Sequence, residues 1–170
     1  MFKKIAIPSF QNTDSVWIET YLSPEGGSLD PDYRAKIRVT IENNLASRSG
    51  EKIYTSVSHA RNLGGFALSN RPVGFDLELK DRAQHKTILR VSSEKELHAA
   101  PSLTHLWAAK EAAYKSLSEF SQPAVISTIE IGEWTPSGHF KMLNENSFGA
   151  TKGHGITWIS DSHICAIYFF

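Results

Sequence analysis

Pro72-Val73-Gly74-Phe75-Asp76-Leu77-Glu78-Leu79 decides how the chain folds. Val73, Phe75, Leu77 and Leu79 alternate with Gly74, Asp76 and Glu78, the period of a β-strand. One face is apolar. The other carries two carboxylates roughly 7 Å apart along the strand. Like charges so placed repel and invite a cation, and Gly74 lets a ligand or a backbone approach closely. The same alternation also describes a half-buried antiparallel strand with a solvated acidic face. The segment by itself leaves both accounts open.

Working outward, Gly65 to Leu68 forms a second strand, joined to the first through Ser69-Asn70-Arg71-Pro72 as a hairpin. Lys52 to Val57 is strand-like. Asp32 stands as N-cap of a helix from Tyr33 to Ser47, closed by Gly50, and Leu22 to Ser28 reads as a loop. Downstream, Ser93-Glu94-Lys95-Glu96 has capping-box spacing and starts a short helix that Pro101 breaks. Ser102 to Glu119 has the strongest helical pattern. Strands follow at Ala124 to Glu133, Phe140 to Leu143, Gly155 to Ile159 and Ile164 to Phe169. The order is that of an α+β fold rather than a βαβ alternation.

Within the long helix, Leu103, Leu106, Trp107, Ala113, Tyr114 and Leu117 make an apolar stripe, with Glu111 and Lys115 one turn apart at its edge. Lys110 lies inside the stripe. Either Lys110 snorkels and Glu111 and Lys115 form an exposed pair, or this edge abuts the acidic strand. In the second case Glu111 adds a third carboxylate and the lysines hold a phosphate nearby. Three carboxylates in one partly buried place take up protons or share a divalent cation.

Composition narrows the function classes. The chain has 170 residues, the size of one domain, with 41% hydrophobic and 21% charged residues, which excludes a mostly disordered chain. Eighteen Lys and Arg balance eighteen Asp and Glu, so a globally basic nucleic-acid binder is not expected. Charge is segregated: residues 34–90 hold eleven basic against five acidic residues. That segment is either a solvated surface or a face for phosphates or an acidic partner. The single cysteine, Cys165, excludes an internal disulfide and a cysteine-rich zinc site, and its apolar surroundings place it in the core. His85, His98, His105, His139, His154 and His163 show no metal-ligand spacing. No apolar run is long enough to span a membrane. The basic N-terminus meets Pro8 too soon for a signal peptide, so a cytoplasmic location is expected.

Gly74-Phe75-Asp76-Leu77-Glu78, followed about thirty residues on by Trp107-Ala108-Ala109-Lys110-Glu111-Ala112-Ala113-Tyr114-Lys115, resembles the 4'-phosphopantetheinyl transferase superfamily. Its signatures are a G-[IV]-D-x-E strand and a W-x-x-K-E-[AS]-x-x-K helix. Phe75 stands where a β-branched residue is usual. Upstream, Ser56-Val57-Ser58-His59 is similar to the S-[IV]-S-H segment of the longer, surfactin-synthetase-activating type. The resemblance covers residues 52–120 well, the C-terminal strands loosely and residues 1–50 poorly. The usual G-K-P segment is absent, Gly50-Glu51-Lys52 being its nearest remnant.

The resemblance implies antiparallel sheets packed on a long helix, with two pseudo-symmetric modules in one domain spanning 1–170. The first, trimmed module covers about 1–71 and the second about 72–170. It implies transfer of 4'-phosphopantetheine from coenzyme A to a serine of an apo acyl or peptidyl carrier protein, in fatty-acid, polyketide or nonribosomal-peptide biosynthesis, with release of adenosine 3',5'-bisphosphate. Asp76, Glu78 and Glu111 would hold Mg2+, Lys115 the pyrophosphate and His59 the 3'-phosphate. Arg34, Arg38 and Arg61 would reach further phosphates, and Glu111 or a water it orients would take the serine proton. Neither nucleic acid nor membrane is expected as a partner. A monomer is favoured, with a homo-oligomer left open. An acidic carrier would dock on Arg71, Lys80, Arg82, Lys86 and Arg90. The trimmed first module keeps open a non-catalytic relative that binds coenzyme A or a partner without transfer. A different metal-dependent phosphotransferase or hydrolase is the third reading.

Overall fold

The computed structural model describes residues 1–13, 15–48, 50–81 and 85–170. The fold is mixed α+β, with two antiparallel sheets and four α-helices among the described residues. β1 (Lys3–Ile5), β2 (Ile18–Ser23), β3 (Tyr54–His59) and β4 (Gly64–Ser69) form the first sheet, in the order β1-β2-β4-β3. β5 (Val73–Leu79), β6 (Ile131–Gly132), β7 (His139–Met142), β8 (His154–Ser160) and β9 (His163–Phe169) form the second, in the order β5-β9-β8-β7-β6. The helices are α1 (Tyr33–Ala46), α2 (His85–Val91), α3 (Glu94–Ala99) and α4 (Leu103–Ser116).

Strand alternation sorts these elements into four layers. Phe66 and Leu68 of β4 face α1, packing with Ile37 and Ile41. Ala67 faces the other way, toward Phe75, Leu77, Cys165 and Ile167 of the second sheet. On the far side of that sheet, Ile164, Ala166 and Tyr168 pack against Ala109, Ala112 and Ala113 of α4. Cys165 is thus core, and burial pushes its thiol up to about 12. No helix is long and apolar enough to cross a membrane among the described residues.

The expected hairpin through Ser69-Asn70-Arg71-Pro72 does not form. β4 pairs with β2 and β3, whereas β5 pairs with β9, so the connector carries the chain from one sheet to the other. The hairpin partner of β4 is β3. The stretch 124–133 is mostly irregular, with a single 3-10 turn at Ile126–Thr128 and only Ile131–Gly132 in a strand. β1, β2 and α2 lie outside the expected elements, and of the expected loop Leu22 to Ser28 the first two residues end β2 and Pro24–Gly26 form a 3-10 turn. Asp32 precedes α1 without capping it through its side chain. The capping box at Ser93 and Glu96 is present, with both reciprocal hydrogen bonds, and Ser102 caps α4 by accepting from the His105 amide at 3.3 Å.

The acidic face of β5 is covered, not wet. α4 runs antiparallel across it, and a methyl group at Gly74 would stand 1.8 Å from the Ala112 carbonyl oxygen. Gly74 is therefore the point where strand and helix backbones touch. At the opposite edge of β5, β3 lies alongside. There the Phe75 and Leu77 amides, which have no strand partner on that side, donate to the hydroxyls of Ser56 (2.9 Å) and Ser58 (3.2 Å). These two serines join the two sheets by satisfying donors of an edge strand.

Candidate active site

Trp107, Glu111 and Lys115 recur every four residues and so share the face of α4 that lies on β5. The Trp107 indole N–H donates to Glu78 Oε1 at 2.9 Å. The Lys115 ammonium donates to Asp76 Oδ1 at 2.7 Å and to the Phe75 carbonyl at 3.1 Å. Asp76 is 4% exposed. Its Oδ1 also accepts from the Ser58 hydroxyl at 2.9 Å, while its Oδ2 is buried with no hydrogen-bond partner among the described residues. Burial raises the Glu111 carboxyl above the ordinary value. The charge of Asp76 raises it further, against the lowering effect of Lys115. Glu111 and Asp76 are thus coupled electrostatically across the strand–helix contact.

His59 ends β3 and meets the first turn of α1. Its Nε2 is 3.2 Å from the Tyr33 hydroxyl, the rings lie 4.7 Å apart, and Arg34 Nε donates to the same hydroxyl at 2.9 Å. Burial lowers the pKa of His59, and the charges of Arg34 and Lys115 lower it further against the pull of Asp76. The imidazole is therefore neutral near pH 7. Arg34, Arg38 and His59 line one groove of about 540 Å³ whose floor is Ile37, Ile41 and Val57.

Arg61 is not in that groove. It lines a separate depression of about 650 Å³ with Ser28, Leu79, Asp81 and Ser162, so the expected cluster of phosphate contacts divides in two. Lys110 neither snorkels nor faces a phosphate. It is wholly buried, paired with Glu96 at 2.7 Å and donating to the Ile129 carbonyl. Arg82 lies outside the described residues. Arg71 and Lys80 flank opposite ends of β5, about 20 Å or more apart.

Ser58, Tyr33 and the indole N–H of Trp107 are the site groups that sequence reasoning missed. The signal for Ser58 was its place before His59, and for Tyr33 its place before Arg34. The side chains fit an oxygen-preferring cation by one observation: a buried, ionisable carboxylate oxygen left without a partner. They are not drawn together around one, since no group of three or more His, Cys, Asp or Glu is arranged to hold a metal ion among the described residues. Lys115 supplies a positive charge at Asp76 Oδ1. No protein-family model matches the chain, and no curated protein matches it.

Proposed function

We propose that the protein is a 4'-phosphopantetheinyl transferase, moving phosphopantetheine from coenzyme A to a serine hydroxyl of an apo carrier protein. The observation that carries the reading is the Lys115–Asp76 ion pair across one strand–helix contact, with the second oxygen of Asp76 buried and without a partner among the described residues, beside His59 of β3 and Arg34 of α1. A pyrophosphate needs cations around it, and its transfer needs a proton acceptor near the attacking hydroxyl.

Asp76, Glu78 and Glu111 would hold Mg2+, which when bound supplies charge neutralisation at the pyrophosphate. Lys115 is within reach of the same place and would pair with the phosphate being transferred. Glu111, raised above the usual carboxylate range, is suited to take the serine proton. The serine oxygen bonds to the phosphorus that carries pantetheine, and the bond from that phosphorus to the bridging oxygen breaks. Adenosine 3',5'-bisphosphate leaves. The groove suits the nucleotide end, with Arg34, Arg38 and His59 for phosphate and the aliphatic floor for the base. Lys86 and Arg90 are exposed on α2 around exposed Leu89, a basic and apolar surface of the kind an acidic carrier would meet.

Incubation with coenzyme A, Mg2+ and several apo carriers, read by mass spectrometry, tests the reading. The expected result is a gain of one phosphopantetheine on the carrier serine, lost in Asp76→Ala. Binding of coenzyme A without transfer would favour a non-catalytic relative. Phosphate or nucleotide release without a carrier would favour another phosphotransferase or hydrolase.

A further inference from the structure

The Ser56 and Ser58 hydroxyls occupy the same situation on β3. Both are nearly buried, and both accept an amide of β5, from Phe75 and Leu77 respectively. One difference separates them. Ser58 also donates to Asp76 Oδ1 at 2.9 Å. A hydroxyl has a single proton. Because the Leu77 amide fixes Ser58 as an acceptor, that proton is directed at the carboxylate. The other contact to Oδ1 comes from Lys115, a long side chain about a quarter exposed. Lys115 is itself tied to β5 through the Phe75 carbonyl at 3.1 Å, so of the two contacts only that of Ser58 reaches Asp76 from the first sheet. Ser58 is anchored at both ends, to a strand amide and through its own strand to the first sheet.

We infer that Ser58 is a positioning residue: it clamps Asp76 Oδ1 to the first sheet so that the orphaned Oδ2 is left to the cation. The inference rests on the function proposed above. It assigns to the serine before His59 a task distinct from phosphate contact. Partners of metal-binding carboxylates hold them in one orientation, and losing such a partner typically weakens metal binding about 10–100-fold.

Ser56→Ala is the internal control, because it removes a seam hydrogen bond without touching the carboxylate. Binding of Mn2+ alone, an ion with the same oxygen preference as Mg2+, is measured by calorimetry on the wild-type protein, Ser56→Ala, Ser58→Ala and Ser58→Thr. Both alanine variants are expected to unfold at lower temperature in metal-free buffer. Only Ser58→Ala is expected to bind Mn2+ at least about 10-fold more weakly, with Ser58→Thr, which keeps the hydroxyl, binding as the wild type does. If Ser58→Ala does not fold, Ser58→Cys replaces it, since a thiol is a weak donor at the same place. Equal affinity in the Ser56 and Ser58 variants overturns the inference while leaving the cation site standing. Equal loosening in the Thr and Ala variants also overturns it. No Mn2+ binding by the wild-type protein overturns the proposed function, and the inference with it.

Discussion

Lys110 and Lys115 are five residues apart on α4 and face unlike surroundings. Lys110 points into the core, where burial lowers its pKa against the opposing pull of its ion-pair partner Glu96. Burial would raise Glu96, yet the hydrogen bonds from Lys110, Ile131 and Ser93 bring it below the ordinary value. Removing one partner of a buried pair leaves an uncompensated charge and costs about 3–5 kcal/mol. Lys110→Met is expected to lower the thermal midpoint by roughly 10 °C at this chain length, as read by circular dichroism. A change of less than about 2 °C would refute the pairing. Glu111 is the opposite case, a carboxyl held above its ordinary value by burial and then by Asp76. Between its unfolded and folded values the native state binds the extra proton. Stability therefore falls as pH rises through that window, and the penalty is absent below the unfolded value of 4.5. Glu111→Gln lacks the penalty. Its thermal midpoint is expected to match the wild type near about pH 4 and exceed it near about pH 8, with transfer abolished. A constant difference across pH would refute the assignment.

The contact between β5 and α4 is where local pattern and tertiary packing meet. Period-two alternation in 72–79 and the 3.6 period in 102–119 were both strong enough to read directly. Both elements formed close to where those patterns placed them. Partnership was not legible in the same way. Asn70-Arg71-Pro72 looks like a hairpin turn, and only the two-faced burial of β4 and β5 sends their strands into different sheets. The segment 124–133 is apolar enough for a strand, yet its chain packs beside α3 and α4, with the Ile129 carbonyl accepting from Lys110. Gly74 was legible as a close approach but not as an approach by the helix. With a methyl group there, Ala112 and Ser116 of α4 would have to move away from the strand. Overpacking of this kind costs about 1–3 kcal/mol or more. Gly74→Ala is expected to lower the thermal midpoint by several degrees and to reduce phosphopantetheine transfer more than Gly132→Ala, whose added methyl meets the Leu143 side chain first rather than backbone. Equal losses in the two variants would separate the site from the strand–helix contact.

Across the whole molecule, the candidate site is assembled from both sheets, and this explains why it was only partly readable. Asp76, Glu111 and Lys115 lie on β5 and α4, whose spacing brings them to one face. Arg34 and His59 come from α1 and β3, and reach that place only because the serines of β3 bind the edge of β5. No periodicity reports such a seam, and none distinguishes Arg34 in the groove from Arg61 outside it. A nucleotide that touches both sets of residues would bind the native state alone and raise its stability by about 2.7 kcal/mol at a hundredfold excess over Kd. For a chain of this size that is a rise of roughly 5–10 °C. Adenosine 3',5'-bisphosphate with Mg2+ is expected to give a larger rise than adenosine 5'-diphosphate in the wild-type protein. Arg34→Ala is expected to remove the difference and leave the smaller rise in place. On the proposed function His59, with Arg34 beside it, would meet the 3'-phosphate, so equal rises with both nucleotides in the wild-type protein would count against that placement, with the depression at Arg61 the next place to test by Arg61→Ala.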